Sequence, residues 1–262
     1  LFTSTGKLFS FVQFIGFFGP LIGIFLGFDA INRERVSRTL SKLLSQPIFR
    51  DSVINAKFLA GVAIIAIVLV AIVLIISGLG IRLIGVVPGS EEVLRLVIYL
   101  IASILYIAFW LGISILFSVI FRSTATSALA SLAVWIFFSF FVSLGAGFLA
   151  DAVAPISQSS SGVNPNMVVK HEQVQRTISL FSPMTLYNDT TTTILDPLRK
   201  TTRSLILMGP LERLSLSRFE SPLPLLQSLF IVIPHLVSLA AITFLCFGVC
   251  YLVFMRQEIR TV

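Results

Sequence analysis

Charge is scarce in this sequence. Of 262 residues only 19 are Lys or Arg and 12 are Asp or Glu, 12% in all, where an ordinary soluble domain carries about 25%. So thin a polar coat argues against a water-soluble fold. Cysteine is almost missing too: Cys246 and Cys250 stand four apart in one apolar run, which excludes a disulfide framework. With no His, Met or third Cys beside them, they read as small packing residues rather than a metal or redox pair. There are two histidines. No HExxH, paired carboxylates or Ser/His/Asp set is present, so a membrane-embedded hydrolase is disfavoured and no metal site is expected. Inside the apolar runs Asp29 is the one acid, whereas a proton-coupled carrier keeps carboxylates or a His relay at mid-membrane. His235 stands alone near the start of the last run and reads as a packing residue. The two halves show no internal repeat of the kind a lone secondary carrier uses. Gly6-Lys7 is followed by Leu8 and lacks the upstream Gly of a phosphate-binding loop, so the chain carries no Walker motif with which to hydrolyse ATP.

What is abundant is apolar surface. Hydrophobic residues make up 56%, and the mean hydropathy is +0.99. Five low-charge runs, about 8–31, 58–81, 96–121, 126–150 and 227–255, are long enough for the roughly 20 residues that a membrane helix needs. Continuous runs, not alternating ten-residue segments, point to helices and not a barrel. The expected fold is an all-α integral membrane protein, a polytopic helix bundle.

Loop charges give an orientation. The connection 32–57 holds Arg33, Arg35, Arg38, Lys42, Arg50 and Lys57 against Glu34 and Asp51, which places it in the cytoplasm. The balanced 82–95 loop and the nearly neutral 151–226 segment fall outside, and the end "FMRQEIRTV" returns inside. Five spans with a cytoplasmic C-terminus put residue 1 outside, which carries the expectation of a sixth helix ahead of it in the full chain. The location expected is the cell membrane, multi-pass.

Small residues recur every four positions at Gly19, Gly23 and Gly27 and again at Ser139, Ser143 and Gly147. Such stripes let helix backbones approach closely, within one bundle or across a dimer seam. In segment 151–226, "PISQSSSGVNPN" reads as a flexible stretch, and Val174, Ile178 and Phe181 as a short amphipathic helix ended by Pro183. Further prolines divide the remainder into short interfacial helices. The segment suits a gate, a platform for an external partner, or a lid on lipid headgroups. Asn188-Asp189-Thr190 matches a glycosylation sequon.

Within 32–57, Val36, Leu40, Leu43 and Leu44 form one apolar helical face, while Arg35, Arg38 and Lys42 lie largely opposite. Pro47 ends that helix, and Arg50-Asp51 opens the approach to the next span. Composition alone allows a helix lying on an anionic leaflet or a docking surface for a cytoplasmic partner.

The order Glu34, Thr39-Leu40, Leu43-Leu44-Ser45, Pro47, Arg50 and Lys57 resembles the signature after the second membrane helix in permease subunits of ABC transporters of the ABC type 2 class, half-size prokaryotic permeases in particular. "LFSPMTLYND" at 180–189 and "FMRQEIR" near the end resemble further segments of that class. Arg38 stands where the class usually has Gly. The resemblance implies a single transmembrane permease domain over residues 1–262, and a coupling helix whose contact residues would be Glu34, Thr39, Leu40, Leu43, Leu44, Pro47, Arg50 and Lys57. It also implies a separate ABC ATPase subunit as partner, with ATP and Mg bound there and no cofactor on this chain. A second permease copy or paralogue and membrane lipid complete the expected partners, with an external partner possible at 151–226 and no nucleic acid. An exporter is the expected activity. The alternative is a structural or assembly subunit of a larger membrane complex, anchored by its basic helix.

Overall fold

The computed structural model describes residues 11–37, 49–85, 88–155, 165–195 and 224–256. Among them the chain is all helical, with five helices long and apolar enough to cross a membrane. In chain order these elements are α1 (Phe11–Gly27), α2 (Asn32–Val36), α3 (Arg50–Ile84), α4 (Ser90–Ile120), α5 (Thr124–Ile136), a π-helical turn (Phe137–Phe141), α6 (Val142–Val153), α7 (Pro165–Ser179), α8 (Pro183–Leu195) and α9 (Leu225–Arg256).

The bundle is organised around α4. In its most apolar stretch 61% of residues are buried, against 17–44% in the other spans. Small residues make that position possible: Ala102, Ser103, Ala108, Gly112, Ser114 and Ser118 punctuate the larger Tyr106, Trp110 and Leu111, and neighbours press into the notches. Helix α1 does so through its glycine stripe. A Cβ at Gly23 would lie 2.6 Å from the Ile107 carbonyl oxygen, and one at Gly27 would lie 2.9 Å from that of Leu111. Helix α3 approaches through Gly61, where a Cβ would meet Leu111 Cδ2 at 2.6 Å. Helix α9 closes another side, with Phe247 stacked on Phe58 at 4.2 Å.

Three boundaries differ from the sequence reading. Helix α3 begins at Arg50 rather than 58 and forms one 35-residue element, because no residue between Arg50 and Lys57 breaks a helix. It stops at Gly85, whose φ of +75° suits a left-handed cap, and Gly85 N–H donates to the Ile81 carbonyl at 2.9 Å. Helix α4 begins at Ser90 rather than 96, with the Glu92 carboxylate accepting from Gly89 N–H at 2.9 Å. The fourth span is not one helix over 126–150, since the π-helical turn Phe137–Phe141 divides it and α6 continues to Val153. Helices α1 and α9 run on through Pro20 and Pro234.

Segment 151–226, read as external with short interfacial helices, has one helix inside the bundle. Helix α7 runs beside α6, and His171 contacts the Ala154 carbonyl at 3.1 Å. Helix α8, however, is packed among α1, α4 and α9. Leu186, Tyr187, Asp189, Thr190, Thr191, Thr193 and Ile194 are all buried, so this helix is core rather than a surface piece.

Candidate functional site

Two ends of the bundle are distinguishable. The end of α1, all of α2, the start of α3 and the end of α4 meet at one of them, the elbow end. Helix α9 runs parallel to α4, from Leu225 beside Glu91 past Thr243 at Leu105, so Arg256 also finishes there.

At the elbow, Glu34 of α2 pairs with Lys57 of α3 at 2.5 Å, both side chains about three-quarters covered. The pair spans the gap between the two ends of segment 38–48. The elbow is also bolted to α4. Ser118 Oγ accepts from Ile31 N–H at 3.0 Å and from Asn32 N–H at 3.1 Å. The Arg35 guanidinium donates to the carbonyls of Phe121 at 3.3 Å and Val119 at 3.4 Å, at the end of α4. Higher up the seam, Ser114 Oγ donates to the Ile24 carbonyl at 2.9 Å and Tyr106 to that of Gly16 at 2.8 Å.

Of the residues proposed from sequence for coupling, the structure thus brings Glu34 and Lys57 together. Arg50 opens α3, its side chain outside the described residues, as are Thr39, Leu40, Leu43, Leu44 and Pro47. Gly19, Gly23 and Gly27 line the α1–α4 seam inside one bundle. The second stripe makes no comparable close approach within this bundle at Gly147. A Cβ at Gly147 would meet nothing within 4 Å, while Ser139 lies in the π-helical turn with its hydroxyl buried and unpaired. The side chain of Ser143 is outside the described residues. The extra residue in a π turn rotates the downstream helix by about 100°, so positions four apart across it no longer share a face.

Sequence reasoning missed the polar residues that fix α8 at the opposite end. Arg95, 6% exposed, donates to the Ile194 carbonyl at 2.8 Å and to Ser228 Oγ at 3.3 Å, and pairs with Glu91 at 3.1 Å. Arg176 of α7 pairs with the buried Asp189 of α8 at 2.5 Å. Tyr187 is stacked on Tyr106 with ring centroids 4.5 Å apart and shares a hydrogen bond with Ser103 at 3.1 Å. The sequon residue Asn188 sits in this buried helix facing Gly16, where an oligosaccharide has no room.

Among the described residues no group of three or more His, Cys, Asp or Glu comes together to hold a metal ion. Nor do they assemble a nucleophile with its base. The arrangement is two sets of clamps on one central helix: α2 tied to α3 and to the end of α4, and α8 tied to its start.

Comparison with curated proteins gives no match. A family model described as ABC-2 family transporter protein matches residues 4–259, nearly the whole chain. The chain therefore belongs to the ABC-2 family of transporter proteins, as a multi-pass membrane permease component.

Proposed function

We propose that this chain is one half of an ATP-driven exporter, in which segment 32–57 carries the coupling helix that receives a separate ABC ATPase. ATP and Mg are bound and consumed on that ATPase, while this chain moves substrate. A second permease, identical or paralogous, completes the pore. The elbow end is cytoplasmic in this reading, because the basic excess of residues 33–57 and the C-terminus belong to the inner face.

The observation that carries the reading is the anchorage of the described parts of segment 32–57, α2 and the start of α3. Its entry at α2 and its exit at α3 are held together by Glu34–Lys57, and the entry is further fastened to α4 by Arg35 and Ser118. A push on such a segment is passed to three spans at once, as rigid-body switching between packed states requires. A helix merely resting on lipid has no need of these fastenings.

The test is copurification of the tagged protein from its native host. A Walker-motif ATPase is expected with the wild type and is expected to be lost with Leu40→Asp plus Leu44→Asp. Retention of the ATPase by the doubly substituted protein, or its absence from the wild type with other membrane subunits present instead, would overturn the proposal in favour of a structural subunit.

A further inference from the structure

Between α1–α2 and the first turns of α3 lies an open cleft of about 600 Å³. Its lining is graded along the bundle axis. Leu26, Ala60 and Ile64 form the part nearer mid-membrane, and Asp29, Arg33, Glu34 and Lys57 form the part at the elbow. Ala60 and Ile64 are exposed on the flank of α3, so the apolar part opens toward the bilayer. An apolar trough leading to a charged mouth has the shape of a site for an amphiphile.

The charges at the mouth narrow the choice. Glu34 and Lys57 neutralise one another. Asp29 and Arg33 stand one helical turn apart on the same cleft, and among the described residues neither has a side-chain partner. Arg33 is exposed and Asp29 half-buried, so both charges are open to a ligand at the cleft mouth, and each is matched by a group of the other sign. A simple anion would suit Arg33 and be repelled by Asp29, and a simple cation would meet the converse. A zwitterion with its charges a few bonds apart suits both. A primary ammonium donates hydrogen bonds to a carboxylate, which a quaternary one cannot do.

We propose that this cleft holds a phospholipid with an aminoethyl phosphate headgroup, its phosphate at Arg33, its ammonium at Asp29 and an acyl chain along Leu26 and Ile64. The lipid comes from the leaflet that meets the elbow end, and it fills the wedge between α1 and α3 beside the anchored segment. This site goes beyond the coupling reading and does not depend on any ATPase.

The experiment is native mass spectrometry of the purified full-length protein, delipidated in detergent and titrated with phosphatidylethanolamine, phosphatidylcholine or phosphatidylglycerol. Phosphatidylethanolamine is expected to be retained at least about fivefold better than the other two. Asp29→Asn should erase that preference, and Arg33→Gln should weaken retention of all three lipids. Ala60→Phe, at an exposed position that leaves every charge in place, should fill the trough and reduce binding of the lipid itself. Soluble phosphoethanolamine at equal concentration should not bind detectably. Equal retention of the three lipids, a preference for phosphatidylglycerol that survives Asp29→Asn, or phosphatidylethanolamine binding indifferent to Ala60→Phe would each overturn the proposal. Binding of phosphoethanolamine as tight as that of the lipid would overturn it too.

Discussion

The α1–α4 seam offers a graded test, because its glycines face different obstacles. At Gly23 a single added methyl would sit 2.6 Å from the Ile107 carbonyl oxygen and 3.0 Å from the Leu111 nitrogen, well inside the roughly 3.5 Å optimum for non-bonded contact. Both obstacles are backbone atoms of a helix and cannot rotate away. Gly27 meets the Leu111 carbonyl oxygen at 2.9 Å, while Gly19 meets only the side chain of Ile107 at 3.0 Å. Gly147 meets nothing within 4 Å. Forcing the helices apart costs about 1–3 kcal/mol by overpacking. It also lengthens the seam's hydrogen bonds from Ser114 and Tyr106, each worth about 0.6 kcal/mol in membrane proteins. Gly23→Ala should therefore lose about 2–4 kcal/mol, Gly27→Ala nearly as much, and Gly19→Ala less. Gly147→Ala should gain up to about 1 kcal/mol from helix propensity. Reversible unfolding of the purified protein in mixed micelles measures all four. Equal losses at Gly23 and Gly147, or no loss at Gly23, would refute the close approach of α1 to α4.

The elbow pair is expected to behave as a partly covered ion pair. Glu34→Lys or Lys57→Glu alone should lower stability and ATPase association, and the double exchange should restore most of both, with a coupling energy of about 1 kcal/mol by double-mutant cycle. Failure of the exchange to rescue either would mean that the two residues act separately. At the opposite end, Arg95→Gln should leave the Ile194 carbonyl unpaired and cost about 1–3 kcal/mol. Arg176→Ala, which removes the ion pair to the buried Asp189, should cost about 1–3 kcal/mol. Both should expose α8 to proteolysis before the rest of the bundle unfolds, and resistance equal to wild type would count against its being held by these side chains.

Hydropathy made some of this architecture legible and hid the rest. Five spans were readable because their apolar faces are continuous over the length of a bilayer, and the Gly19–Gly23–Gly27 stripe was readable because a straight helix preserves its register. The π turn Phe137–Phe141 left no mark in the four-residue spacing of Ser139, Ser143 and Gly147, although it sets Ser139 off the register of α6. Helix α8 was hidden for a different reason. Its buried face is polar, with the Thr190 and Thr191 hydroxyls satisfied by the carbonyls of Leu186 and Tyr187 one turn back, at 2.7 and 2.8 Å. Its acid, Asp189, is answered by Arg176 on another helix. Local composition thus read as surface what long-range pairing makes into core. Arg95 was assigned to a loop on the same grounds. The serines at 114 and 118 did stand four apart in an apolar run, and that spacing could have identified the face of α4 that α1 and α2 occupy.

These pieces converge on α4, a 31-residue element about 45 Å long at 1.5 Å per residue. At one end its carbonyls accept from Arg35 and its Ser118 hydroxyl accepts from the elbow backbone, and the other carries Arg95 and the Tyr99–Ser103 face against α8. No proline or π turn lies between those clamps. A displacement imposed at the elbow therefore has few places to be absorbed within the helix and is carried along it as a body. Flexibility is to be found instead where the register breaks, in the α5–α6 turn, whose Phe137 and Phe141 face outward. The glycine seam is then the contact that decides whether α1 travels with α4. This is why a single methyl at Gly23 should disturb both ends of the molecule, whereas one at Gly147 should disturb neither.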